Sequence, residues 1–281
     1  MEIKSLSGVN VSKITQAFNE AFSDYFFPFV LKEEEMLSKI ISENIILEFS
    51  AGLFDEHQLV GFIFTGIDKV DEQKIAYNAG TGIIPLYRGK NLTSKMYQYI
   101  FEILKEEKIR YHLLEVIKEN EKAIKVYKNE GFIINRKLNC YKGIVTKPIE
   151  NTGFKIHDIH FGEIKNHNDF WDFLPSYQNS VTALSRSTTE LQYLGCFIEN
   201  QLAGYLVLDK TTGRIKQFGV HKDCRRKKMG HHLFYKAQEL IQTEAISTIN
   251  IDAADIFTNN FLKHIGLQIS VCQYEMKRET V

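Results

Sequence analysis

Ile84-Pro85-Leu86-Tyr87-Arg88-Gly89-Lys90-Asn91-Leu92-Thr93 runs from an apolar strand end, through a basic turn, into a helix predicted over 94–108. A turn of that composition ahead of a helix aims several backbone N–H groups and a positive helix end at one spot. That chemistry suits a phosphate or pyrophosphate. A second stretch, Arg225-Arg226-Lys227-Lys228-Met229-Gly230, has the same character further along the chain. His157, Asp158, His160 and His167 are metal-ligating types, but their spacing fits neither one helix face nor one strand, so no metal site is expected. His231 and His232 flank the start of a helix after the second basic turn.

The elements that must position the first turn follow from apolar periodicity. Ile14, Ala17, Phe18 and Phe22 recur at helical spacing over 11–25, and the aromatic segment 24–29 breaks that helix at Pro28. Tyr25, Phe26 and Phe29 are either core or the wall of an acceptor pocket. A second helix is expected from Lys32. Leu53 to Phe64 reads as a hairpin and Ile75 to Ile84 as a third strand, in which Gly80 and Gly82 mark a bulge or a place where another backbone or a ligand comes close, with backbone exposed there. After the turn, Met96, Ile100 and Leu104 form the apolar stripe of a helix, and Tyr111 to Ile117 is a central strand. Asn120 to Glu130 is a helix stopped by Gly131 with Phe132 as its apolar contact, and a strand follows from Ile133 to Lys142. That order predicts an α/β or α+β layer around one mostly antiparallel sheet.

The chain has 281 residues, 44% of them hydrophobic and 25% charged, which is ample for two ordinary domains. Lys and Arg number 35 and so do Asp and Glu, so no overall field selects nucleic acid or an anionic membrane as partner. Four dispersed cysteines (Cys140, Cys196, Cys224, Cys272) without a Cys-x-x-Cys pair read as reduced thiols. The N-terminal residues lack a signal-peptide core, and no run approaches the roughly 20 apolar residues of a membrane span. A soluble, cytoplasmic protein is expected; oligomeric state is not legible.

Beyond a linker at 143–153 the landmarks repeat. Gln201-Leu202-Ala203-Gly204-Tyr205 matches Gln58-Leu59-Val60-Gly61-Phe62, Arg225 stands for Arg88, Gly266 for Gly131, and Gln273-Tyr274 for Cys140-Tyr141. Equal order at nearly constant separation predicts two copies of one fold, 1–145 and 155–281. Trp171 and the polar, aromatic segment after it fall where the first copy has Phe26 to Phe29, so they line a second pocket or pack in the core.

Taken together, the strand, the Ile-x-Pro-x-Tyr-Arg-Gly-Lys turn, the helix, the strand and Asn-x-x-Ala-x-x-x-Tyr-x-x-x-Gly-Phe resemble the GNAT superfamily of acetyl-CoA-dependent N-acetyltransferases, here as a tandem pair of GNAT-like domains, each a mostly antiparallel twisted sheet flanked by helices. The resemblance implies acetyl-CoA as co-substrate, with its pyrophosphate at Arg88, Gly89, Lys90, Asn91, Leu92 and Thr93 and its pantetheine along a splayed strand at Ile83 and Ile84. Asn120 fits the motif of the later helix and is placed with the cofactor residues. Asn91 and Thr93 occupy glycine positions of the family turn; Asn tolerates a left-handed backbone, while Thr adds a β-carbon. In the second copy Lys228 replaces a glycine and either blocks the backbone approach or brings a charge. Tyr127, four residues before Gly131, takes the place of the family's general acid, and the second copy has Leu262 there. Glu115, beside the splay, is the carboxylate placed to act as base, and backbone N–H groups near Ile84 are the oxyanion donors. The implied activity is acetyl transfer to a primary amine of a small molecule or protein. The alternatives are an acyl-CoA-binding regulator or scaffold, or an enzyme with its centre in the second copy.

Overall fold

The computed structural model describes residues 1–24, 30–70, 73–150 and 153–280. The chain divides into two compact units, Met1–Asn135 with Tyr274–Val281, and Arg136–Gln273. This is not the linear division expected at 145–155. Each unit takes one strand from beyond that boundary, because a sheet that splits in its middle needs a further strand on the far side of the split.

In the first unit β1 (Glu2–Ser5), α1 (Val11–Ala21) and α2 (Glu33–Ser42) precede the strands β2 (Ala51–Asp55), β3 (Gln58–Val70) and β4 (Gln73–Ile83). Then come α3 (Leu92–Glu106), β5 (Tyr111–Ile117) and α4 (Glu121–Asn129). Strand order is β1-β2-β3-β4-β5, completed by the end of β12 (Gln268–Glu279). The first four strands pair antiparallel, and β4 with β5 is parallel.

Alternation along β3 sorts the core onto two faces. Phe62 and Phe64 stack with each other at 4.3 Å and with Phe18 of α1 at 5.7 and 6.3 Å. Ile63 instead joins Met96, Tyr97, Ile100 and Leu104 of α3 in the opposite layer. Asn10 caps α1, its side chain accepting the Ser12 N–H at 2.8 Å. Gly131 ends α4 at φ 86, and the next amide, Phe132 N–H, returns to the Tyr127 carbonyl at 3.0 Å, as the sequence predicts. Gly82 does not leave its backbone exposed. It is buried, and a β-carbon there would lie 2.6 Å from Phe62 and 2.9 Å from Ala21, so glycine lets α1 close on β4.

The second unit repeats the plan. Its elements are β6 (Ile133–Gly143) from Arg136 onward, β7 (Lys155–Asp158), α5 (Phe161–Ile164), α6 (Val181–Ser185), β8 (Leu191–Ile198), β9 (Gln201–Asp209), β10 (Arg214–Val220), α7 (Met229–Leu240), β11 (Ile246–Asp252) and α8 (Ile256–His264), with the start of β12. Strand order is β6-β11-β10-β9-β8-β7, with β10 and β11 parallel and the other ladders antiparallel. Added β-carbons at Gly61 and Gly204 would approach the carbonyls of Gly82 and Gly219 at 3.2 and 3.1 Å, so the matched pentapeptides serve the same close strand contact in each copy. All four cysteines are free thiols. Among the described residues no helix is long and apolar enough to cross a membrane.

Candidate functional site

Both copies open their sheet at the same place. In the first, the parallel ladder joins Ile75–Tyr77 to Tyr111–Leu113 and ends there, although β4 continues to Ile83 and β5 to Ile117. The β3–β4 register steps from Phe64↔Gly80 to Thr65↔Asn78, which leaves Ala79 as an extra residue. A bulge bends its strand and increases its twist, so β4 turns away from β5 and a cleft opens between them.

Glu115 stands on β5 just past the last paired residue. The Tyr77 hydroxyl donates to its Oε2 at 2.5 Å, which fixes a half-buried carboxylate at the mouth of the split. Tyr77 escaped the sequence reading because its partner is 38 residues away and no local spacing joins them. Ile83 and Ile84 close β4. The Ile84 N–H donates to the Val60 carbonyl at 2.9 Å, so this amide completes the pairing with β3 and is not itself an oxyanion donor.

The basic turn follows. A short 3-10 turn over Pro85–Tyr87 leads to Arg88 in extended backbone, then Gly89 at φ 81 and Asn91 at φ 56, ψ 27, and α3 starts at Leu92. Left-handed residues set among right-handed ones gather successive N–H groups on one side, a concavity that binds anions. Asn91 adopts the left-handed conformation expected of it. Thr93 is already inside α3, where a β-carbon costs no backbone strain. Leu92 is buried in the α3 core, and the Lys90 ammonium lies 5.7 Å over the Tyr87 ring.

Arg88 has another task. Its guanidinium donates to Asp24 at 2.6 and 2.8 Å, to the Ala21 carbonyl at 2.8 Å and to the Ile83 carbonyl at 2.9 Å. The side chain thus ties the end of α1 to the end of β4 and shapes the turn, and its hydrogen bond holds the Asp24 carboxyl below its ordinary range. Arg225 repeats the arrangement with Asp172 at 2.5 Å, the Val220 carbonyl at 3.1 Å and the Phe170 carbonyl at 3.3 Å. Neither Asp24 nor Asp172 was singled out from sequence, since each meets its arginine across more than fifty residues.

Asn120 caps α4, its side-chain oxygen accepting the Ala123 N–H at 3.1 Å. Tyr127, half-buried on that helix, sets its ring edge-on to Tyr97 of α3 at 6.2 Å and to Phe132 at 6.0 Å. The Tyr97 hydroxyl in turn receives the Asn78 amide at 2.6 Å, next to the bulge, and burial pushes its pKa well up. Ser94, in the first turn of α3, donates to Glu130 at the end of α4. The structure therefore brings the turn, α3 and α4 together, with Glu115 at the split. Tyr25, Phe26 and Phe29, the expected acceptor wall, lie outside the described residues.

The second copy reproduces the turn dihedral by dihedral. Ile84 (φ −54, ψ 135) matches His221 (−50, 136), Arg88 (−68, 165) matches Arg225 (−70, 165), and Asn91 (56, 27) matches Lys228 (65, 5). Arg226, at φ 64, takes the place of Gly89. Its parallel ladder is shorter, Arg214–Ile215 with Ser247–Thr248, and Lys216 is the bulged residue. Between the parted strands lies a cavity of ≈ 680 Å³ lined by the turn, by α8 and by an aromatic wall that includes Phe170, Trp171 and Phe173. Trp171 donates to the Tyr205 hydroxyl at 2.6 Å, and that hydroxyl donates to Gln217 at 2.8 Å. Trp171 thus both lines the pocket and braces it. Leu262, in Tyr127's place, is fully buried. The three histidines near the start of the second copy have local partners: His157 stacks on Phe197 at 4.2 Å, His160 pairs with Glu163 and His167 packs on Phe170.

Two family profiles match the chain in tandem, "Acetyltransferase (GNAT) family" over residues 14–132 and "Acetyltransferase (GNAT) domain" over residues 171–268. No curated protein matches the sequence. Similar solved structures include a tandem GNAT protein from the clavulanic acid biosynthesis pathway, at TM-score 0.77 and 12% identity, covering 100% of this chain and 98% of that one. A putative acetyltransferase from Pyrococcus horikoshii aligns at TM-score 0.69 and 14% identity over 99% and 89% of the two chains. A GCN5-related N-acetyltransferase from Sphaerobacter thermophilus aligns at 0.72 and 12% over 99% and 95%. At such identities the likeness is one of fold.

Proposed function

The chain belongs to the GNAT superfamily as two domains in tandem, and from that premise we propose that it is an N-acetyltransferase moving an acetyl group from acetyl-CoA to a primary amine, with the chemistry in the first copy. The observation that carries this reading is the split between β4 and β5 with Glu115 fixed at its mouth by Tyr77, next to the left-handed turn that opens α3. The turn, with Gly89, Lys90, Asn91 and the first amides of α3, fits the pyrophosphate, and Ile83 at the open edge of β4 fits the pantetheine. Bound acetyl-CoA supplies an acyl group activated as a thioester. Asn120 and Arg88 act on the site by shaping it, one as helix cap and one as clamp.

Transfer to an amine needs its nitrogen unprotonated and needs a proton for the departing sulfur. Glu115 accepts the amine proton, directly or through water. Tyr127 returns a proton to the thiolate; a phenol titrating near 10 and a thiol near 8.5 are close enough for that transfer. In the full chain Tyr127→Phe and Glu115→Gln should each lower kcat by about 10²-fold or more while the acetyl-CoA KM holds. Turnover unchanged across pH in either variant removes that residue from the mechanism.

The 680 Å³ cavity favours a second reading, in which acetyl-CoA binds in the second copy. Leu262 denies that site a tyrosine acid, so a ligand held there without transfer would make the second copy a regulatory or scaffolding domain. Comparing Arg88→Ala with Arg225→Ala for acetyl-CoA affinity separates the two sites.

A further inference from the structure

The two turns share a backbone but not a charge environment. In the first copy the opening turn of α3 carries Ser94, bonded to the carboxylate of Glu130. Aligned from Leu92 with Met229 and from Gly131 with Gly266, the corresponding residues of the second copy are His231 and Ile265. The serine at the helix start is thus replaced by an imidazole, its carboxylate partner by an isoleucine, and the left-handed residues Gly89 and Asn91 by Arg226 and Lys228.

His231 is oriented. Its Nε2 lies 2.7 Å from the Thr146 carbonyl, which can only accept, so the proton sits on Nε2 and Nδ1 is the basic nitrogen. The His264 ring, on α8, is centred 6.3 Å from that of His231, and both histidines line the 680 Å³ cavity along with Arg226 and Lys228. The groups acting on His231 are His264 from α8, His232 from its own helix and Lys228 from the turn; none is acidic.

We propose that His231 and His264 form an imidazole clamp on a phosphate group of the ligand that enters the second-copy cavity, with Arg226 and Lys228 at the flanks. The proposal deepens the reading of this chain as an acyl-CoA protein and rests on it for the choice of probes, because a coenzyme pyrophosphate and a free nucleotide or pyrophosphate present the same chemistry. Burial first, and then the neighbouring cations, lower the pKa of His231 in the ligand-free protein, against the Thr146 hydrogen bond, which raises it. An anion reverses that balance, so binding takes up protons and tightens as pH falls. Phosphate monoesters gain charge with rising pH, which acts in the opposite direction and equally in every variant.

The test is calorimetric titration of the full chain with acetyl-CoA, 3′,5′-ADP and inorganic pyrophosphate, at pH 5.5 and 8.0. The variants are His231→Gln/His264→Gln, His264→Gln alone and Lys228→Glu. Gln can still donate to the Thr146 carbonyl, and His264 and Lys228 are exposed, so the last two variants keep the fold. Wild type should bind about tenfold more tightly at pH 5.5, the equivalent of one pKa unit of linkage. The double variant should lose that gain, His264→Gln should lose part of it, and Lys228→Glu should weaken the pH-dependent site. A pH slope with acetyl-CoA alone identifies a coenzyme site, and a slope with all three probes a general phosphate site; both support the clamp. The same slope in the double variant, or no binding of any probe, overturns it. Acetyl transfer is read in the acetylated amine and the clamp in binding heat, so either reading can fail while the other stands.

Discussion

Replacing Arg88 tests whether this arginine is a scaffold or a phosphate ligand. Arg88→Ala removes two hydrogen bonds to Asp24 and one each to the carbonyls of Ala21 and Ile83. The ion pair is exposed, at 42% and 56% of the two side chains, so it contributes only about 0.2–1 kcal/mol. Each carbonyl bond adds a net ~0.5–1.5 kcal/mol. The loss is then about 2 kcal/mol, or roughly 4–8 °C in the melting of the first unit. Lysine keeps the charge but not the fork that meets three acceptors at once, so Arg88→Lys should melt like Arg88→Ala and lose acetyl-CoA affinity to a similar extent. Differential scanning calorimetry with acetyl-CoA titration reads both. A lysine variant that melts and binds as wild type would refute the scaffold role and restore Arg88 as a simple cation. The Asp24 carboxyl titrates below its ordinary 3.8 because of the Arg88 hydrogen bond. Its contribution is therefore complete above pH 3.8 and vanishes as pH falls through the lower folded value, and Asp24→Asn should abolish that acid dependence.

Other expectations follow from buried groups. Gly82→Val would drive a side chain into Phe62 and Ala21 and should cost about 1–3 kcal/mol, measured by urea unfolding; a neutral outcome would mean that α1 does not close on β4 as described. His112 is fully buried, and both ring nitrogens lack a hydrogen-bond partner among the described residues. Burial, aided by Arg278, lowers its pKa from 6.5 to about 3. The unfolded chain therefore binds the extra proton between those values, and stability should fall on acidification by about 1.4 kcal/mol per pH unit from 6.5 toward 3. His112→Leu should flatten that slope in pH-dependent unfolding curves, and an unchanged slope would assign it to other groups.

Local pattern carried much of this fold. The helix stop at Gly131, the strand 111–117 and the left-handed turn at Asn91 are decided by residues close in sequence, and the repeat of landmarks made two copies legible. The missing parts are long-range. Tyr77 reaches Glu115 across 38 residues, and Arg88 reaches Asp24 across 64. The exchanged strands escaped for the same reason, because Tyr274 to Glu279 reads as the end of the second copy until the split sheet of the first shows where a strand is needed. Ile84 misled because an amide at a strand end looks available until its pairing with Val60 is known.

The most direct test of acetyl transfer is to incubate the full chain with acetyl-CoA and a panel of primary amines, and to follow CoA release together with the mass of each amine. The predicted result is stoichiometric CoA and acetylated amine for at least one member of the panel, with both signals collapsing in Tyr127→Phe. Acetyl-CoA that binds but yields no acetylated amine across the panel, or transfer that is indifferent to Tyr127, would contradict the assignment of this chemistry to the first copy.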